Sequence, residues 1–469
     1  MAGSSLKFGT SGLRGLAVDL EGQAARQYTA AFLRYASSLA GRDTGRVFLG
    51  RDFRQSSPAI VADCAAAIAA AGLEPVDCGT IPTPALALHA MAAHGAAIMV
   101  TGSHIPADRN GLKFYLPSGE ISKADEAGIL TALGEEAVPD LAGAMADEAE
   151  AATERYFARF AGLLPAGALA GMRIGVFEHS TVARDLLTRF MAHFGAQVVS
   201  LDRRDGFVAV DTEAFGDAVF APLPGWVEQH KLDAIISADG DGDRPLLMDR
   251  HGNFVRGDVL GLLAAQCLGA DSVVTPVTSN SAIERTGFFR NVVRTRVGSP
   301  FVVDAMTGAS GAVVGFEANG GTFVGEGVRV GGHRLTPLAT RDAVLPILCA
   351  LGLAAQQGKP VDQLVAALPL QHAVADRLQD VPADKSGAFL KRLATDEDYA
   401  RRLFEPRGIA SLSQIDGLQF RTLSGDMVHF RASGNAPELR CYVEGSTSEV
   451  AQDLLAWGMD VAAREVGQG

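Results

Sequence analysis

The stretch VFLGRDFRQSSPAIVADCAAAIAAAG, residues 47–72, decides the fold class, because a short apolar run leads into a long alanine-rich segment. Val47-Phe48-Leu49 predicts a buried strand. Ser57-Pro58 predicts the start of a helix, with the serine at the N-cap and the proline at the first helical position, and Gly72 predicts its end. Pro75-Val76-Asp77-Cys78 predicts the next strand. A strand, a helix and a second strand make a βαβ unit, from which α/β folds are built.

The same alternation continues along most of the chain. Arg173-Ile174-Gly175-Val176-Phe177 opens a second α/β unit that ends near Asp249. Before it, the Ala, Glu and Asp content of residues 136–156 predicts a helical boundary. A third unit runs to about Gly358 and has strand candidates at 272–276 and 312–316. We therefore predict three α/β domains with mixed sheets, at 1–148, 149–249 and 250–365.

The last part of the chain has a different pattern. Residues 427–430 and 439–443 predict two strands on either side of a loop. Ser446-Thr447-Ser448-Glu449 then matches a capping box and predicts the start of a final helix. These features predict a smaller C-terminal α+β domain at 366–469.

Composition limits the classes of function. A chain of 469 residues is too long for one ordinary core, and 48% apolar with 20% charged residues is typical of a globular protein. We expect neither a membrane span nor a signal peptide, because no apolar run is long enough. Five widely spaced cysteines suggest reduced core residues of a cytoplasmic protein. A net charge of −13 argues against a general nucleic-acid surface, so an anionic substrate would need a local basic site.

Thr101-Gly102-Ser103-His104-Ile105-Pro106 is the first candidate for chemistry. It follows the apolar run Ala96-Ala97-Ile98-Met99-Val100, which predicts a buried strand. Open α/β sheets place ligands at the carboxyl ends of their strands, so Ser103 is a candidate nucleophile. Taken alone, the motif is more typical of an ordinary turn.

Asp239-Gly240-Asp241-Gly242-Asp243-Arg244 is a candidate metal site. Its glycines permit a tight turn in which three carboxylates converge, and hard oxygen ligands suit Mg²⁺. A calcium EF-hand is disfavoured, since its loop requires glycine where this chain has Arg244 and glutamate where it has Arg250. A solvated acidic turn stays open as an alternative. So does an aspartyl phosphotransferase of the haloacid dehalogenase type, although the aspartate at position 243 and the mid-chain location weaken it.

Four further segments offer groups that suit a sugar phosphate. The loop 431–437 combines a guanidinium, a hydroxyl, an amide and backbone N–H groups that can cradle a phosphate. Glu317 and Asn319 could bind vicinal sugar hydroxyls. Arg14 lies in a Gly/Ser-rich segment that could reach a phosphate but is no P-loop, and Lys113 follows Ser103 by ten residues. Each segment alone is also consistent with an ordinary loop.

Taken in order, these segments resemble the α-D-phosphohexomutase superfamily, which includes the bacterial phosphomannomutases and phosphoglucomutases. The resemblance extends over nearly the whole chain, and the joint occurrence of its motifs makes chance a poor explanation. The matching motifs are Gly9-Thr10-Ser11-Gly12-Leu13-Arg14-Gly15, Gly50-Arg51-Asp52 with Ser56-Ser57, Pro82-Thr83-Pro84, Thr101-Gly102-Ser103-His104, Asp239 to Arg244, Glu317-Ala318-Asn319-Gly320, and Arg431 to Pro437.

The resemblance implies four domains around a central cleft, each contributing one loop, and it implies roles for their residues. Ser103 would be the phosphorylated serine. Mg²⁺ would be bound by the phosphate on Ser103 and by three carboxylates, those of Asp239, Asp241 and Asp243. Charge balance or proton handling would fall to Arg14, Lys113 and Arg244. The sugar hydroxyls would be held by Glu317 and Asn319, and the phosphate that is not reacting by Arg431, Ser433, Gly434 and Asn435.

The activity that the resemblance implies is the interconversion of mannose 1-phosphate and mannose 6-phosphate, with glucose phosphates as further candidate substrates. The reaction would pass through a phosphoserine enzyme and a hexose 1,6-bisphosphate. A phosphoglucosamine mutase, an aspartyl-phosphate phosphatase and a non-catalytic phosphosugar-binding protein remain alternatives. The expected partner is a phosphosugar, with no nucleic acid and no membrane.

The sequence departs from the family pattern at four places. Gly102 and Ile105 replace the commoner Ala and Asn beside the serine, and Asn319 stands where Ser is common. Gly321 stands where many members have His, so an acid/base role at this position is absent or is supplied from elsewhere. His104 is interpreted as a structural neighbour of Ser103, because a phosphoserine donor needs no base to activate the serine in each turnover.

Overall fold

The computed structural model of the chain describes residues 5–9, 11–39, 45–134, 136–141, 144–405, 407–433 and 437–467. Contacts divide the chain into two compact units. The first takes the described residues of Met1–Val274 and Gly298–Ala367, and the second those of Thr275–Val297 and Leu368–Gly469. Of the helices described, none is both long and apolar enough to cross a lipid bilayer. The division into four domains stays a prediction.

The first part of the first unit is a mixed sheet covered by helices. Its elements are β1 Lys7–Phe8, β2 Leu13–Leu16, α1 Ala17–Leu20, α2 Gln23–Ser38, β3 Arg46–Arg51, α3 Ser57–Ala70, β4 Glu74–Thr80, α4 Thr83–Ala92, β5 Ala96–Val100, β6 Arg109–Leu116, β7 Gly119–Glu120, α5 Lys123–Thr131, β8 Ala146–Asp147 and α6 Ala149–Phe160. The strand order is β1-β2-β6-β5-β3-β4-β8, with β7 paired to β6. β3 runs parallel to β4 and β5, whereas β6 is antiparallel to β5 and β2.

Helix α3 follows the predicted course with a shift of one residue at its start. The N-cap is Ser56 rather than Ser57, and Pro58 lies in the first turn. Ser57 is not free to cap, because its Oγ donates to Asp52 Oδ1 at 2.7 Å. The helix ends at Ala70, ahead of Gly72, whose φ of +76° suits glycine.

The boundary predicted as helical at 136–156 is only partly helical. Residues 136–141 are irregular, β8 pairs in parallel with β4, and α6 begins only at Ala149. Pro139 lies within residues 136–141, and a proline disfavours a helix at its own and the preceding position despite the alanine and glutamate content.

The next sheet carries the acidic motif. Its elements are β9 Arg173–His179, α7 Arg184–His193, β10 Gln197–Arg203, a 3₁₀ turn at Ala218–Phe220, α8 Leu223–His230, β11 Ala234–Ala238 and β12 Pro245–Asp249. The strand order is β10-β9-β11-β12. β9 is parallel to both β10 and β11, whereas β11 and β12 are antiparallel. The acidic motif is thus the connection between two buried antiparallel strands.

The following segment contains α9 Gly257–Cys267, β13 Ser272–Pro276, α10 Ala282–Arg285, β14 Asn291–Thr295, α11 Ser299–Thr307, β15 Val313–Phe316, β16 Thr322–Val324, β17 Arg329–Val330, β18 His333–Arg334, β19 Leu338–Asp342, α12 Val344–Gln357 and α13 Val361–Ala366. In the first unit its sheet follows the order β13-β15-β16-β19. β13 and β15 are parallel, and β16 is antiparallel to β15 and β19. Elements α10 and β14 belong to the second unit.

The remainder of the second unit comprises β20 His372–Leu378, α14 Ala383–Thr395, α15 Glu397–Leu403, β21 Ser411–Ser413, β22 Leu418–Arg421, β23 Met427–Ala432, β24 Leu439–Gly445 and α16 Ser448–Val466. Its sheet is antiparallel, in the order β20-β24-β23-β22-β21. The N-cap of α16 is Thr447, one residue later than the predicted capping box places it. The predicted α/β class with mixed sheets is confirmed.

Candidate active site

Ser103 lies in the loop between β5 and β6, three residues after β5 ends. Its side chain is fully buried, and its φ of +53° lies in the left-handed region. Residues with a Cβ rarely adopt this conformation unless surrounding contacts hold it. The Ser103 N–H donates to Thr101 Oγ1 at 2.8 Å, and Ser103 Oγ donates to Asp239 Oδ2 at 2.5 Å. The predicted nucleophile therefore faces the first carboxylate of the acidic motif.

A buried arginine that the sequence analysis missed, Arg54, holds the loop of Ser103. Its Nε donates to Asp52 Oδ2 at 3.1 Å, and the same oxygen accepts from Thr101 Oγ1 at 2.7 Å. The Arg54 guanidinium also donates to four backbone carbonyls of the loop and its far end, those of Ser103, Ile105, Pro106 and Arg109. Because a buried guanidinium requires partners, this network fixes the loop's path.

The three aspartates of the acidic motif are buried, and their carboxylate oxygens lie within 4.8 Å of one another. Asp239 Oδ1 accepts the N–H groups of Asp243 and Arg244, both at 3.1 Å, which closes the turn. Burial together with the charges of Asp241 and Asp243 raises the pKa of Asp239 well above its ordinary value. Such a cluster is unfavourable without compensating positive charge.

Two oxygens of this cluster lack hydrogen-bond partners among the described residues. Asp241 Oδ1 and Asp243 Oδ1 are buried and accept no hydrogen bond. The other oxygen of Asp241 accepts from Lys113 and from Thr83. Orphaned carboxylate oxygens beside the Ser103 hydroxyl are the donor set that a hard divalent cation prefers. The triad can therefore hold a metal ion.

Two buried cations, Lys113 and Arg341, offset the negative charge of Asp241 and Asp243. Lys113 Nζ donates to Asp241 Oδ2 at 2.5 Å and to Asp243 Oδ2 at 2.6 Å. Arg341 Nη2 donates to the same Asp243 oxygen at 2.7 Å. Although burial opposes it, the guanidinium of Arg341 and the ammonium of Lys113 hold the pKa of Asp243 well below its ordinary value. Lys113 was predicted as a site residue from the sequence, whereas Arg341 was not.

Arg14 and Arg244 add positive charge near the same cluster. Nε of each is buried and has no hydrogen-bond partner in the part of the chain that the structure describes. Burial and the charge of Arg244 lower the pKa of Arg14 to about 10, so it remains a cation at neutral pH. Arg244 Nε lies 3.9 Å from Asp243 Oδ1, and its Nη1 lies 3.4 Å from Glu213 Oε2. Unsatisfied guanidinium donors of this kind suit a phosphate.

His104 lies beside the serine, with Nδ1 3.3 Å from Ser103 Oγ. The positive charge of Arg244, burial and the charge of Arg14 lower the pKa of His104 well below its ordinary value. The imidazole is therefore neutral near pH 7. This agrees with the interpretation of His104 as a neighbour of the serine.

The predicted sugar loop follows β15. Glu317 is buried, and its Oε2 accepts from Ser299 Oγ at 3.0 Å and from Arg341 Nη1 at 2.8 Å. Asn319 is also buried, and its Oδ1 accepts the Gly321 N–H at 3.0 Å. The structure thus links Glu317 to the acidic cluster through one shared arginine.

The predicted phosphate loop lies in the second unit and is described there by itself. Arg431 is at the end of β23, and its Nε donates to Asp416 Oδ2 at 2.7 Å. The Ser433 N–H donates to the Glu438 carbonyl at 2.9 Å. Gly434 and Asn435 lie outside the described residues, and the phosphate-binding role of this loop stays a prediction.

Within the first unit, the structure places together the groups that the sequence could only name separately. Ser103, Lys113 and the acidic motif share direct hydrogen bonds, and Arg244 lies at its edge. Arg54 and Arg341 are the site residues that sequence reasoning missed. Their only sequence signal is proximity to recognised motifs, Gly50-Arg51-Asp52 for the first and the sugar loop for the second.

Comparisons with known proteins match this chain to one family. The family described as phosphoglucomutase/phosphomannomutase, alpha/beta/alpha domain I, matches residues 5–138, and the corresponding domain III matches residues 256–371. A phosphomannomutase of Sinorhizobium fredii is 47% identical, over 97% of this chain and 98% of its own length. A phosphoglucosamine mutase of Frankia casuarinae is 30% identical, over 95% of each.

A solved structure supports the fold independently. A phosphoglucomutase/phosphomannomutase family protein from Burkholderia thailandensis superposes with a TM-score of 0.77 at 21% identity, covering 98% of each chain. The two family matches together span more than half of the chain, and the Sinorhizobium relative aligns over nearly all of it. The chain belongs to the phosphoglucomutase/phosphomannomutase family, within the α-D-phosphohexomutase superfamily.

Proposed function

We propose that this protein is a Mg²⁺-dependent phosphomannomutase that interconverts mannose 1-phosphate and mannose 6-phosphate, with glucose phosphates as further candidate substrates. The observation that carries the proposal is the hydrogen bond from Ser103 Oγ to Asp239, beside the orphaned oxygens of Asp241 and Asp243. A hydroxyl, three converging carboxylates and several cations are what phosphoryl transfer requires, because the reaction depends on positioning and charge neutralisation. The 47% identity to a phosphomannomutase supports the choice of hexose.

In the proposed reaction, Ser103 carries a phosphoryl group between turnovers. The bond from Ser103 Oγ to phosphorus breaks as a hydroxyl oxygen of the bound hexose phosphate bonds to that phosphorus, and the proton of that hydroxyl replaces the phosphoryl group on Ser103 Oγ. The product is a hexose 1,6-bisphosphate and a free serine. After the bisphosphate turns over, its other phosphoryl group returns to Ser103. Mg²⁺ would supply Lewis-acid stabilisation of the phosphoryl oxygens, held by Asp239, Asp241 and Asp243.

This chain's own residues would do the rest. Lys113, which donates to Asp241 and Asp243, would balance their charge and that of the phosphoryl group. Arg14 and Arg244 would bind phosphate oxygens through their unsatisfied donors. Glu317 and Asn319 would hold the sugar, and Arg431, Ser433, Gly434 and Asn435 the phosphate that is not reacting. All five cysteines are free thiols, which fits the proposed cytoplasmic location.

The Ser103→Ala variant tests the proposal. Incubation with a ³²P-labelled hexose 1,6-bisphosphate should label the wild-type protein and leave the variant unlabelled, and mutase turnover should fall at least about a thousandfold. Ser37→Ala, at an exposed helical serine, is the matched control and should behave as wild type. Normal turnover in Ser103→Ala would refute the mechanism. Label that persists there and is lost in Asp239→Asn would instead indicate an aspartyl phosphotransferase.

A phosphoglucosamine mutase is the second candidate, because a relative of that name covers nearly the whole chain at 30% identity. Hexose and hexosamine differ only at C2, and the pair Glu317 and Asn319 can bind either a hydroxyl or an amine. Measuring kcat/KM with mannose, glucose and glucosamine 1-phosphates separates the candidates. We expect mannose 1-phosphate to be preferred, and a preference for glucosamine 1-phosphate would favour the alternative.

A further inference from the structure

We propose that Arg341 is a positioning residue that ties the sugar-binding carboxylate of Glu317 to the metal-binding carboxylate of Asp243, so that one guanidinium orients both. The proposal rests on the proposed function for the roles of these two carboxylates. Arg341 lies on β19, outside every motif that the sequence analysis named, and it belongs to the same compact unit as both partners.

The geometry is that of a bridge. The Nε and Nη2 atoms of Arg341 donate to Asp243 Oδ2 at 3.1 and 2.7 Å. On the other side of the guanidinium, Nη1 donates to Glu317 Oε2 at 2.8 Å and to Ser299 Oγ at 2.6 Å. All three nitrogens are therefore used, and the two carboxylates come from segments more than 70 residues apart in the chain.

In each carboxylate, only one of the two oxygens accepts these hydrogen bonds. Arg341 and Lys113 take Oδ2 of Asp243, which directs the orphaned Oδ1 toward the cation position. Ser299 and Arg341 take Oε2 of Glu317, so Oε1 is the oxygen that a sugar hydroxyl would reach. A fixed orientation matters, since ligand groups must be held within a fraction of an ångström to be effective.

Gly321 makes room for the bridge. A Cβ at this position would stand 2.5 Å from Cδ, 2.6 Å from Cγ and 2.8 Å from Cβ of Arg341. Any larger residue at 321 would push the arginine stem aside. At Gly321, where many family members have histidine, the space beside the backbone is thus filled by the aliphatic part of the Arg341 side chain from β19.

The bridge predicts that removing the charge of Arg341 has opposite effects on cation binding and on sugar binding. Lys113 still holds Asp243 Oδ2 when Arg341 is replaced, so the carboxylate keeps its orientation. A cation bound at Asp243 is repelled by the adjacent guanidinium, so loss of that charge should favour cation binding. Glu317 loses its charged partner at the same time, and its orientation toward the sugar should be lost. A residue with a merely structural role would weaken both kinds of binding together.

Arg341→Met tests this with two separate measurements. Mn²⁺ binding, measured by equilibrium dialysis without any sugar, should tighten about tenfold. KM for mannose 1-phosphate should rise about tenfold or more, with a smaller change in kcat. Arg341→Lys keeps the charge but cannot span two carboxylates. It should keep Mn²⁺ affinity near that of wild type and still raise KM.

Gly321→Ala provides a variant that changes no charge. It should raise KM because it displaces the Arg341 stem, and it should add little in an Arg341→Met background. Gly225→Ala is the matched control, since a Cβ there would meet open space, and it should behave as wild type. Circular dichroism and melting temperatures establish that each variant folds. If Arg341→Met does not fold, the KM values of the milder variants Arg341→Lys and Gly321→Ala still test the link to Glu317.

Unchanged or weaker Mn²⁺ binding in a folded Arg341→Met variant would overturn the link to Asp243, and an unchanged KM would overturn the link to Glu317. Failure of the proposed function has a different signature. In that case the wild-type protein would turn over none of the hexose phosphates, while the Mn²⁺ measurements would still report on Arg341 and Asp243.

Discussion

At the residue scale, two buried arginines, Arg54 and Arg341, hold the reactive groups of the site in place. Ser103 and the three aspartates could be named because each stands in a short motif with a recognisable chemistry. Arg54 and Arg341 could not, since a single arginine in a sequence carries no sign of being buried. Only the structure shows that Arg54 binds the carbonyls of the serine loop and that Arg341 joins two carboxylates. Buried charges are placed by tertiary contacts, which have no local pattern.

A residue-scale prediction concerns His179. Burial lowers the pKa of His179 to about 4, whereas an unfolded histidine titrates near 6.5. Below pH 6.5 the unfolded chain therefore binds a proton that the folded chain does not. The free energy of unfolding should fall as pH drops from 6.5 toward 4, by at most about 1.4 kcal/mol per pH unit from this group, and should be fully retained above 6.5.

Urea unfolding of His179→Asn at pH 7.0 and 5.0 measures this contribution. The difference between the two pH values should be smaller in the variant than in wild type by about 2 kcal/mol. His94→Asn is a matched control, because His94 is exposed and both histidines have a positive φ that asparagine tolerates. An equal pH dependence in His179→Asn and wild type would contradict the assignment.

At the element scale, strands and helices followed the sequence well where apolar periodicity and capping residues agreed. β13 was predicted at its observed bounds, and α3 begins within one residue of the expected start. The two errors have different causes, a tertiary partner of Ser57 and the helix-disfavouring Pro139. Ser57 bonds to Asp52 instead of capping α3, and residues 136–141 are not helical despite their composition.

An element-scale prediction concerns the serine loop between β5 and β6. A Cβ at Gly102 would stand 2.6 to 2.7 Å from the Arg54 guanidinium, which is fixed by its carbonyl partners. Gly102→Ala should therefore lower the free energy of unfolding by about 1–3 kcal/mol through overpacking. It should also slow phosphorylation of Ser103, because the loop must shift to accommodate the methyl group.

Thermal unfolding and labelling by a hexose 1,6-bisphosphate check both effects. Gly162→Ala serves as the control, since a Cβ there meets nothing within 4 Å. A Gly102→Ala variant with the stability and labelling rate of wild type would show that Arg54 moves freely and does not constrain the loop.

At the scale of the whole molecule, the net charge of −13 contrasts with a site rich in buried cations. Three carboxylates and Arg244 come from a single turn, whereas Lys113 and Arg341, which neutralise them, come from two distant segments. Net charge, which the sequence supplies directly, could exclude classes of partner. It could not predict this local arrangement, because that depends on which strands become neighbours.

The same arrangement predicts that metal binding stabilises the first unit selectively. The orphaned oxygens of Asp241 and Asp243 have no partner among the described residues to offset their burial, and a bound cation would provide one. Mg²⁺ at 100 times its dissociation constant should add about 2.7 kcal/mol to the free energy of unfolding of this unit. Calorimetry with Mg²⁺ and with a chelator should show the first unit's transition moving upward while that of the second unit stays in place. Asp241→Asn should abolish the shift, and a shift that persists in this variant would place the cation elsewhere.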